Sequence, residues 1–196
     1  MFDKNKFIEN SLRESAAVKL DIFDKCRDDI LRAADIIIKA FRVGNKLMLC
    51  GNGGSAADCQ HIATEFVVRL SHDMERPAMP AIALTTDSSN LTAGGNDIGF
   101  ENVFARSVEG LGKEGDVLIG ISTSGNSSNI IKAIESAKKK KVITIGLLGC
   151  GGGKISSHTD HNIIIPSSNV QRIQEGHITV GHILCEIAER EMFDKK

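Results

Sequence analysis

The sequence has no tryptophan, no tyrosine and only eight phenylalanines in 196 residues. Proteins that bind single-stranded nucleic acid or glycans stack the bases or sugar rings on such side chains, and most of that surface is missing here. The net charge of −1 also lacks the basic excess that nucleic-acid binding requires. We therefore expect a ligand that is small, polar and charged, and no nucleic-acid partner.

Long apolar runs and paired cysteines are absent as well. No apolar stretch approaches the roughly 18 to 20 residues of a membrane span, and the N-terminus has no apolar signal segment. The five cysteines are odd in number and form no C-x-x-C pair, which argues against structural disulfides. These features predict a cytoplasmic protein without a membrane association.

The pattern of the chain predicts a single α/β domain covering residues 1–196. Apolar residues make up 41% of the sequence, enough for a proper core at this length. Five short apolar runs predict strands, and helical patterns separate nearly all of them, as in a parallel sheet with helices on both faces. The predicted strands are residues 46–50, 81–84, 117–121, 142–147 and 162–165.

Helices are predicted at both ends of the chain. Residues 4–22 and 24–43 form an N-terminal hairpin in this interpretation, and a long helix from about Val170 to Phe193 closes an α/β core of residues 44–196. The hairpin is more apolar than an isolated surface hairpin needs. Packing against a second subunit or against the chain's own sheet would both cover it.

A hydroxyl-rich segment, G-I-S-T-S-G-N-S-S at residues 120–128, follows the third predicted strand and precedes a helical pattern. Capping a helix requires one hydroxyl, whereas this turn, which we call the hydroxyl turn, contains five. Strand-to-helix turns present free backbone N–H groups and the positive end of the helix dipole. The hydroxyl turn therefore predicts an anion site.

A second turn of this kind, C-G-N-G-G-S-A-A at residues 50–57, follows the first strand and is called the glycine turn below. It does not match the dinucleotide motif G-x-G-x-x-G, and the sequence has no G-K-[ST] phosphate loop. Its glycines would let a ligand approach the backbone, with Ser55 as the helix cap. The first three predicted strands all feed polar turns, and two such turns on one sheet edge predict a phosphorylated ligand.

Four side chains on two helices could carry chemistry. His61 and Glu65 are four residues apart and share a helix face, as do Gln174 and His182 in the last helix. Together they offer nitrogen and oxygen ligands that suit zinc, and a histidine beside a carboxylate suits proton transfer. A partly exposed polar pair and a core histidine remain the alternative interpretations.

Five motifs in order resemble the phosphoheptose isomerase family of the sugar isomerase (SIS) domain superfamily, from about residue 10 to residue 192. They are C-G-N-G-G-S-A-A-D, H-I-A-T-E-F, G-G-N-D-I-G-F, G-I-S-T-S-G-N-S and R-I-Q-E-G-H…H. The resemblance implies a flavodoxin-like α/β/α sandwich and a homotetramer with active sites at subunit boundaries. It also implies conversion of sedoheptulose 7-phosphate to D-glycero-D-manno-heptose 7-phosphate, the first step toward the heptoses of lipopolysaccharide or capsule.

The resemblance further implies roles for individual residues. It gives phosphate contacts to Ser122, Thr123, Ser124 and Ser127, sugar contacts to Asn52, Gly53, Gly54 and Ser55, and further substrate contacts to Asn96, Asp97, Arg69 and Gln174. Glu65 and His182 match the acid–base pair, and the implied zinc ligands are His61, Glu65, Gln174 and His182. We hypothesise that Glu65 is the base and His182 the acid. Gln171 stands where some members have an acidic residue, so this chain departs from the family pattern at that position.

Three other functions share this fold. Some SIS relatives are adaptors that bind the replication initiator and lack the Glu65 and His182 pair, which this chain retains. Others are sugar-phosphate sensors that usually bring a DNA-binding segment, for which neither length nor charge leaves room. A third alternative is an isomerase for a different sugar phosphate, since the hydroxyl turn would recognise only the phosphate.

Overall fold

Five parallel strands form one sheet in the computed structural model, which describes residues 2–194. They are β1 (Leu47–Gly51), β2 (Ala81–Ala83), β3 (Val117–Ser122), β4 (Ile143–Leu148) and β5 (His161–Ile164). Each of the five predicted runs forms one of these strands, with bounds that differ by at most one residue. A short apolar run was a sufficient signal because β1 and β3 are buried along their whole length, while the edge strands β2 and β5 are buried only in part.

Helices separate the strands and flank the sheet. They are α1 (Lys4–Arg42), α2 (Gly54–Val67), α3 (Ser88–Asp97), α4 (Val103–Leu111), α5 (Ser128–Lys139) and α6 (Val170–Phe193). Short 3-10 turns cover Phe100–Asn102, Cys150–Gly152 and Ile155–Ser157. The predicted long helix at the end of the chain is confirmed with the predicted bounds. No helix within residues 2–194 is long and apolar enough to cross a membrane.

The strand order β2-β1-β3-β4-β5 has a switch point between β1 and β3, where the chain changes its direction of winding. The two strands pair in register, with Leu49 opposite Ile119. Open α/β sheets bind ligands at the carboxyl ends of the strands beside such a point. The glycine turn follows β1 and the hydroxyl turn follows β3, so both predicted turns lie there.

The predicted N-terminal hairpin is wrong, because α1 is one helix of 39 residues. The range contains no glycine or proline that could end a helix at the predicted break, and the first glycine is Gly44. An i,i+4 ion pair of 2.7 Å between Asp21 and Lys25 spans the predicted break instead. The apolar pattern was interpreted as two helices although nothing in it interrupts the helical repeat.

Two apolar cores lie on opposite faces of the sheet. On one face α1, α2 and α6 pack against Leu49 and Ile119, and on the other α4 and α5 pack against Met48 and Leu118. Successive strand residues point to opposite faces, so both cores draw on the same strands. The predicted three-layer α/β/α sandwich is confirmed.

The N-terminal half of α1 extends beyond this packing. Its first buried residue within the described chain is Ile22, whereas Phe7, Leu12 and Leu20 are 56%, 67% and 71% exposed. Burying a side chain of this size typically contributes about 1.5 to 3 kcal/mol, which these residues do not gain in the single chain. The chain's own sheet therefore covers the second half of α1 and not the first.

Candidate active site

Helices α2 and α6 lie side by side and run in the same direction. Gly54 contacts Gln174, His61 contacts His182 and the backbone N–H of Leu70 donates to Glu189, so the contacts advance together along both segments. Any Cβ at Gly181 would lie 2.6 Å from Ile62 Cδ1. The two helices therefore pack closely at Gly181, where a larger residue would displace the side chain of Ile62.

Three of the predicted functional side chains meet where α2 and α6 pack against each other, a contact called the α2–α6 seam below. His61 Nε2 lies 2.7 Å from His182 Nε2 and 3.4 Å from Glu65 Oε1. The ligand atoms of the three side chains all lie within 4.8 Å of one another. The side chain of Glu65 is 16% exposed, and its buried Oε2 has no hydrogen-bond partner within the described chain. This His–Glu–His cluster thus retains capacity to bind a proton or a cation.

The His–Glu–His cluster opens into a cavity of about 600 Å³. The loop after α2 forms one wall with Ser71, Asp73 and Met74, and the last turns of α6 form another with Glu186. A cavity of this size accommodates a small ligand such as a sugar phosphate. The reactive side chains are therefore accessible to a ligand from solvent.

The hydroxyl turn is shaped by its own first serine. The hydroxyl of Ser122 accepts a hydrogen bond from Gly125 N at 3.1 Å and lies 3.1 Å from Ser127 Oγ. Ser122 is only 4% exposed, whereas Thr123 and Ser127 are partly exposed and Ser124 is exposed. Three of the four hydroxyls predicted to bind phosphate are therefore accessible, and Ser122 holds the turn in shape.

The glycine turn differs from its prediction at Ser55. Gly53, at φ +55°, is the N-cap of α2, and no side chain among residues 2–194 caps the helix there. Ser55 lies within the first turn, is 4% exposed and donates its backbone N–H to Asn52 O at 3.0 Å. The prediction of Ser55 as the cap is wrong, because glycine reaches a positive φ that leaves the cap two residues earlier. Gly53 and Gly54 are exposed, as close approach by a ligand requires.

A reciprocal pair of amides joins the two turns. Asn52 Nδ2 donates to Asn129 Oδ1 at 2.9 Å, and Asn129 Nδ2 donates to Asn52 Oδ1 at 2.8 Å. Asn129 is 4% exposed and belongs to the first turn of α5. This contact fixes the glycine turn against the hydroxyl turn. No local pattern pointed to Asn129, since the two residues of the pair are 77 positions apart.

A third turn lies at the same carboxyl edge of the sheet as the glycine and hydroxyl turns, and it was not predicted. The glycine-rich segment 149–153 after β4 packs so closely on the hydroxyl turn that a Cβ at Gly125 would lie 2.1 Å from Gly152 O. Ile155 N donates to Gly125 O at 2.8 Å, and Lys154 N donates to Asn126 Oδ1 at 3.1 Å. Polar turns were predicted after the first three strands alone, although four glycines around position 150 were a visible signal.

Gln174 lies apart from the other three predicted zinc ligands. Its amide contacts Gly54, where an added Cβ would lie 2.2 Å from Nε2. Gly54 precedes His61 by seven residues, which is about 10 Å along an α-helix. The structure therefore brings His61, Glu65 and His182 together and places the Gln174 side chain at the glycine turn.

The remaining predicted substrate contacts are exposed. Asn96 and Asp97 end α3, and Asn96 Nδ2 donates to Asp97 Oδ1 at 2.7 Å. Arg69 follows α2 and lines a groove with Met74 and Pro77. Within residues 2–194, no hydrogen bond joins these three side chains to either turn or to the His–Glu–His cluster. Their side chains are available to a ligand or to another chain.

Two other histidines are structural. His161 is buried in β5, with Nε2 2.7 Å from the carbonyl oxygen of Asp29. His177 of α6 is fully buried, and neither ring nitrogen has a hydrogen-bond partner within the described chain. Burial lowers the pKa of His177 to about 4, so the ring is neutral near pH 7.

Comparison with known proteins gives matches along nearly the whole chain. The model of the SIS domain family matches residues 12–149. Phosphoheptose isomerase 2 of Campylobacter jejuni is 51% identical over 100% of this chain and 97% of its own length. The structure of a phosphoheptose isomerase from Francisella tularensis matches with a TM-score of 0.92 and 35% identity, covering 96% of this chain and 100% of that chain. The structure of a phosphoheptose isomerase from Neisseria gonorrhoeae matches with a TM-score of 0.90 and 38% identity, covering 95% of this chain and 99% of that chain.

Proposed function

The chain belongs to the SIS domain family and within it to the phosphoheptose isomerases, and we propose that its His–Glu–His cluster interconverts sedoheptulose 7-phosphate and D-glycero-D-manno-heptose 7-phosphate. About half of the residues are identical to those of several phosphoheptose isomerases over nearly their full length. This similarity supports the aldose–ketose isomerase activity. The observation that carries the proposal is a carboxylate beside two imidazoles in an open cavity. Aldose–ketose isomerisation requires such groups, since a proton moves between two adjacent carbons.

Glu65 acts as the base in the proposed mechanism. It takes the proton from C1 of the ketose and returns it to C2, which passes the substrate through an enediol. The buried Oε2, which has no hydrogen-bond partner in the described chain, has a lone pair free for that proton. One carboxylate serves both carbons because they are bonded neighbours.

His182 transfers protons to and from the substrate oxygens in the proposed mechanism. In the ketose-to-aldose direction it donates a proton to O2 and accepts one from O1. The separation of 2.7 Å between the facing Nε2 atoms of His61 and His182 requires that one of them carries the hydrogen. A proton is thus held at the end of the cavity where the acid is needed.

The two turns bind the rest of the substrate in this proposal. The accessible hydroxyls of Thr123, Ser124 and Ser127, with the N-terminus of α5, would hold the phosphate. Asn52, Gly53 and Gly54 would contact the sugar, with further contacts from Ser55, Arg69, Asn96, Asp97 and Gln174. Anchoring the phosphate holds C1 and C2 in register with the acid–base pair, which is worth several kcal/mol in orientation.

The donor set of the cluster suits zinc. Ligand atoms about 2.0 to 2.1 Å from a tetrahedral zinc ion lie about 3.3 Å apart, close to the 3.4 Å between His61 and Glu65. The two imidazole nitrogens would have to separate by roughly 0.5 Å to reach that spacing. Gln174 is the proposed fourth ligand, and its amide would have to leave Gly54. When bound, zinc would act as a Lewis acid that stabilises negative charge on the enediolate oxygens, which would replace proton donation by the ring nitrogen of His182 that it occupies.

We propose that residues 1–196 act as one domain and that residues 1–43 serve to assemble a homotetramer. The exposed apolar side chains in the first half of α1 support this role, because a second copy would remove them from water. All five cysteines are free and four are buried, which fits the reducing cytoplasm. The product would serve as a precursor of lipopolysaccharide or capsule heptoses.

A substrate panel tests the proposal. The purified protein is incubated with C5, C6 and C7 ketose phosphates, with and without a chelator, and the aldose product is quantified. We expect turnover of sedoheptulose 7-phosphate above that of the shorter sugars, a loss with chelator and recovery when zinc is restored. Absence of turnover with zinc present, or equal turnover of all three sugars, would contradict the proposed substrate.

A further inference from the structure

A buried ion pair lies on the α2–α6 seam beyond the His–Glu–His cluster. Arg76 Nε lies 2.7 Å from Glu189 Oε1, and the two side chains are 0% and 5% exposed. Among the ion pairs of residues 2–194, no other has both side chains less than a tenth exposed. Glu189 follows His182 by seven residues, about 10 Å along α6.

Arg76 also binds the end of the helix that carries Glu65. Its Nη2 donates to the carbonyl oxygen of Glu65 at 2.7 Å, and Nη1 donates to that of Phe66 at 2.8 Å. These carbonyls belong to the last turn of α2, which contains no basic residue of its own. The guanidinium satisfies the carbonyl oxygen of Glu65, shares that of Phe66 with the backbone N–H of Met79, and complements the helix dipole. The guanidinium thus fixes the backbone of Glu65 directly.

Glu189 joins the same network from α6. Its Oε1 accepts hydrogen bonds from Arg76 Nε at 2.7 Å and from Leu70 N at 3.3 Å. The loop that contains Leu70 forms a wall of the cavity. The pair therefore connects three parts of the candidate active site: the end of α2, the cavity wall and α6.

Stability alone is a weak reason for such a pair. Removing two charges from water costs several kcal/mol for each ion, and apolar residues of similar volume in the same place are often as stabilising or more so. What an apolar pair cannot supply is the planar set of donors that reaches the carboxylate and both carbonyls. The geometry of the network is therefore its distinguishing property.

We propose that Arg76 and Glu189 are positioning residues, which brace the end of α2 against α6 and so hold the Glu65 carboxylate at its working distance from His182. This inference rests on the proposed function of Glu65. The Arg76–Glu189 pair, called the brace below, should therefore affect both turnover and zinc binding. Both depend on the distance between side chains that come from the two helices. Phosphate anchoring at the hydroxyl turn does not depend on it.

Two variants test the brace. Arg76→Lys retains the charge without the planar donor set, and the double variant Arg76→Met/Glu189→Met removes both charges while filling the space. The control is Glu109→Gln, which breaks the exposed Arg106–Glu109 pair on α4, 3.1 Å long in the structure. For each chain kcat and KM are measured with sedoheptulose 7-phosphate, zinc affinity by competition with a coloured chelator, and folding by a circular-dichroism melt.

We expect both variants to fold, with kcat at least about tenfold lower, KM within about threefold and zinc bound at least about tenfold more weakly. The control should match the parent chain in every measurement.

Folded variants with kcat and zinc affinity within twofold of the parent, or a change confined to KM, would overturn the proposal. If either variant fails to fold, Glu189→Gln, which changes no side-chain volume, decides by the same criteria. An inactive parent would instead refute the proposed function, and the zinc affinities would still test the brace.

Discussion

The hydroxyl turn and the His–Glu–His cluster differ in how their polar atoms are satisfied. In the turn, the hydroxyl of Ser122 accepts from Gly125 N and that of Ser124 accepts from Asn126 N. In the cluster, a buried oxygen of Glu65 lacks a partner within the described chain, and two imidazole nitrogens face each other at 2.7 Å. The turn is held in shape by its own hydrogen bonds, whereas the cluster has unused capacity for a proton, a metal ion or a substrate.

This difference separates two tasks of an isomerase. The anchored phosphate as a whole orients the sugar, but a single hydroxyl among several that hold it contributes equally to the bound substrate and the transition state, so its loss acts mainly on KM. Groups that handle the moving proton act only as the reaction proceeds, so they act on kcat. Substitutions in the two regions should therefore give different kinetic signatures.

The largest effect is expected from Glu65→Gln in the cluster. The amide keeps the size of the side chain and cannot accept the C1 proton, so kcat should fall by about 10²- to 10⁴-fold. Affinity for the phosphate ester, measured by isothermal titration, should stay within about threefold of the parent, since the turns are untouched. A kcat within about tenfold of the parent would show that Glu65 is not the base.

A matched substitution of a carboxylate away from the seam is the control for Glu65→Gln. Glu114→Gln alters an exposed side chain that pairs with Lys141 at 3.0 Å. It should leave kcat and KM unchanged, because exposed ion pairs contribute little. If it also lost turnover, general destabilisation by the loss of a carboxylate would explain both results.

A second prediction concerns His177, five residues before His182 on the same helix. Its folded pKa of about 4 lies below the ordinary value of 6.5 because the ring is buried. The unfolded chain therefore binds a proton that the folded chain excludes, and the free energy of unfolding should fall as pH drops from about 6.5 to 4, by about 3 kcal/mol.

Denaturant titrations across this pH range measure the effect, with His177→Leu as the comparison. The leucine chain cannot bind the proton in either state, so its stability should lack this part of the pH dependence. Equal slopes for the two chains would contradict the assignment. A steeper loss of stability in the parent chain would assign this part of the acid sensitivity to His177 of α6.

The sequence predicted the parts of the fold and of the site that have local signals. Apolar runs gave all five strands, and the spacing of His61 to Glu65 gave their shared helix face. The break in α1 was wrong because helix ends require a breaker that the segment lacks. Pairs distant in the chain left no local signature, as for Asn52 with Asn129 and Arg76 with Glu189, which are 77 and 113 positions apart.

The smallest effect is expected in the hydroxyl turn, from Ser124→Ala. A hydrogen bond to a charged group contributes about 1.5 kcal/mol or more, so its loss should raise KM for sedoheptulose 7-phosphate by roughly tenfold. The value of kcat should change by less than about twofold, since the hydroxyl meets the phosphate equally before and during proton transfer. Both constants come from initial rates over a range of substrate concentrations.

Ser128→Ala is the matched control, because Ser128 is an exposed serine of the same turn with no proposed contact to phosphate. It should retain the parent KM. A tenfold rise in KM for both variants would mean that the turn responds as a unit and that its hydroxyls do not act individually. A fall in kcat without a rise in KM for Ser124→Ala would remove the distinction between the two regions, since a phosphate-binding hydroxyl would then be acting on the chemical step.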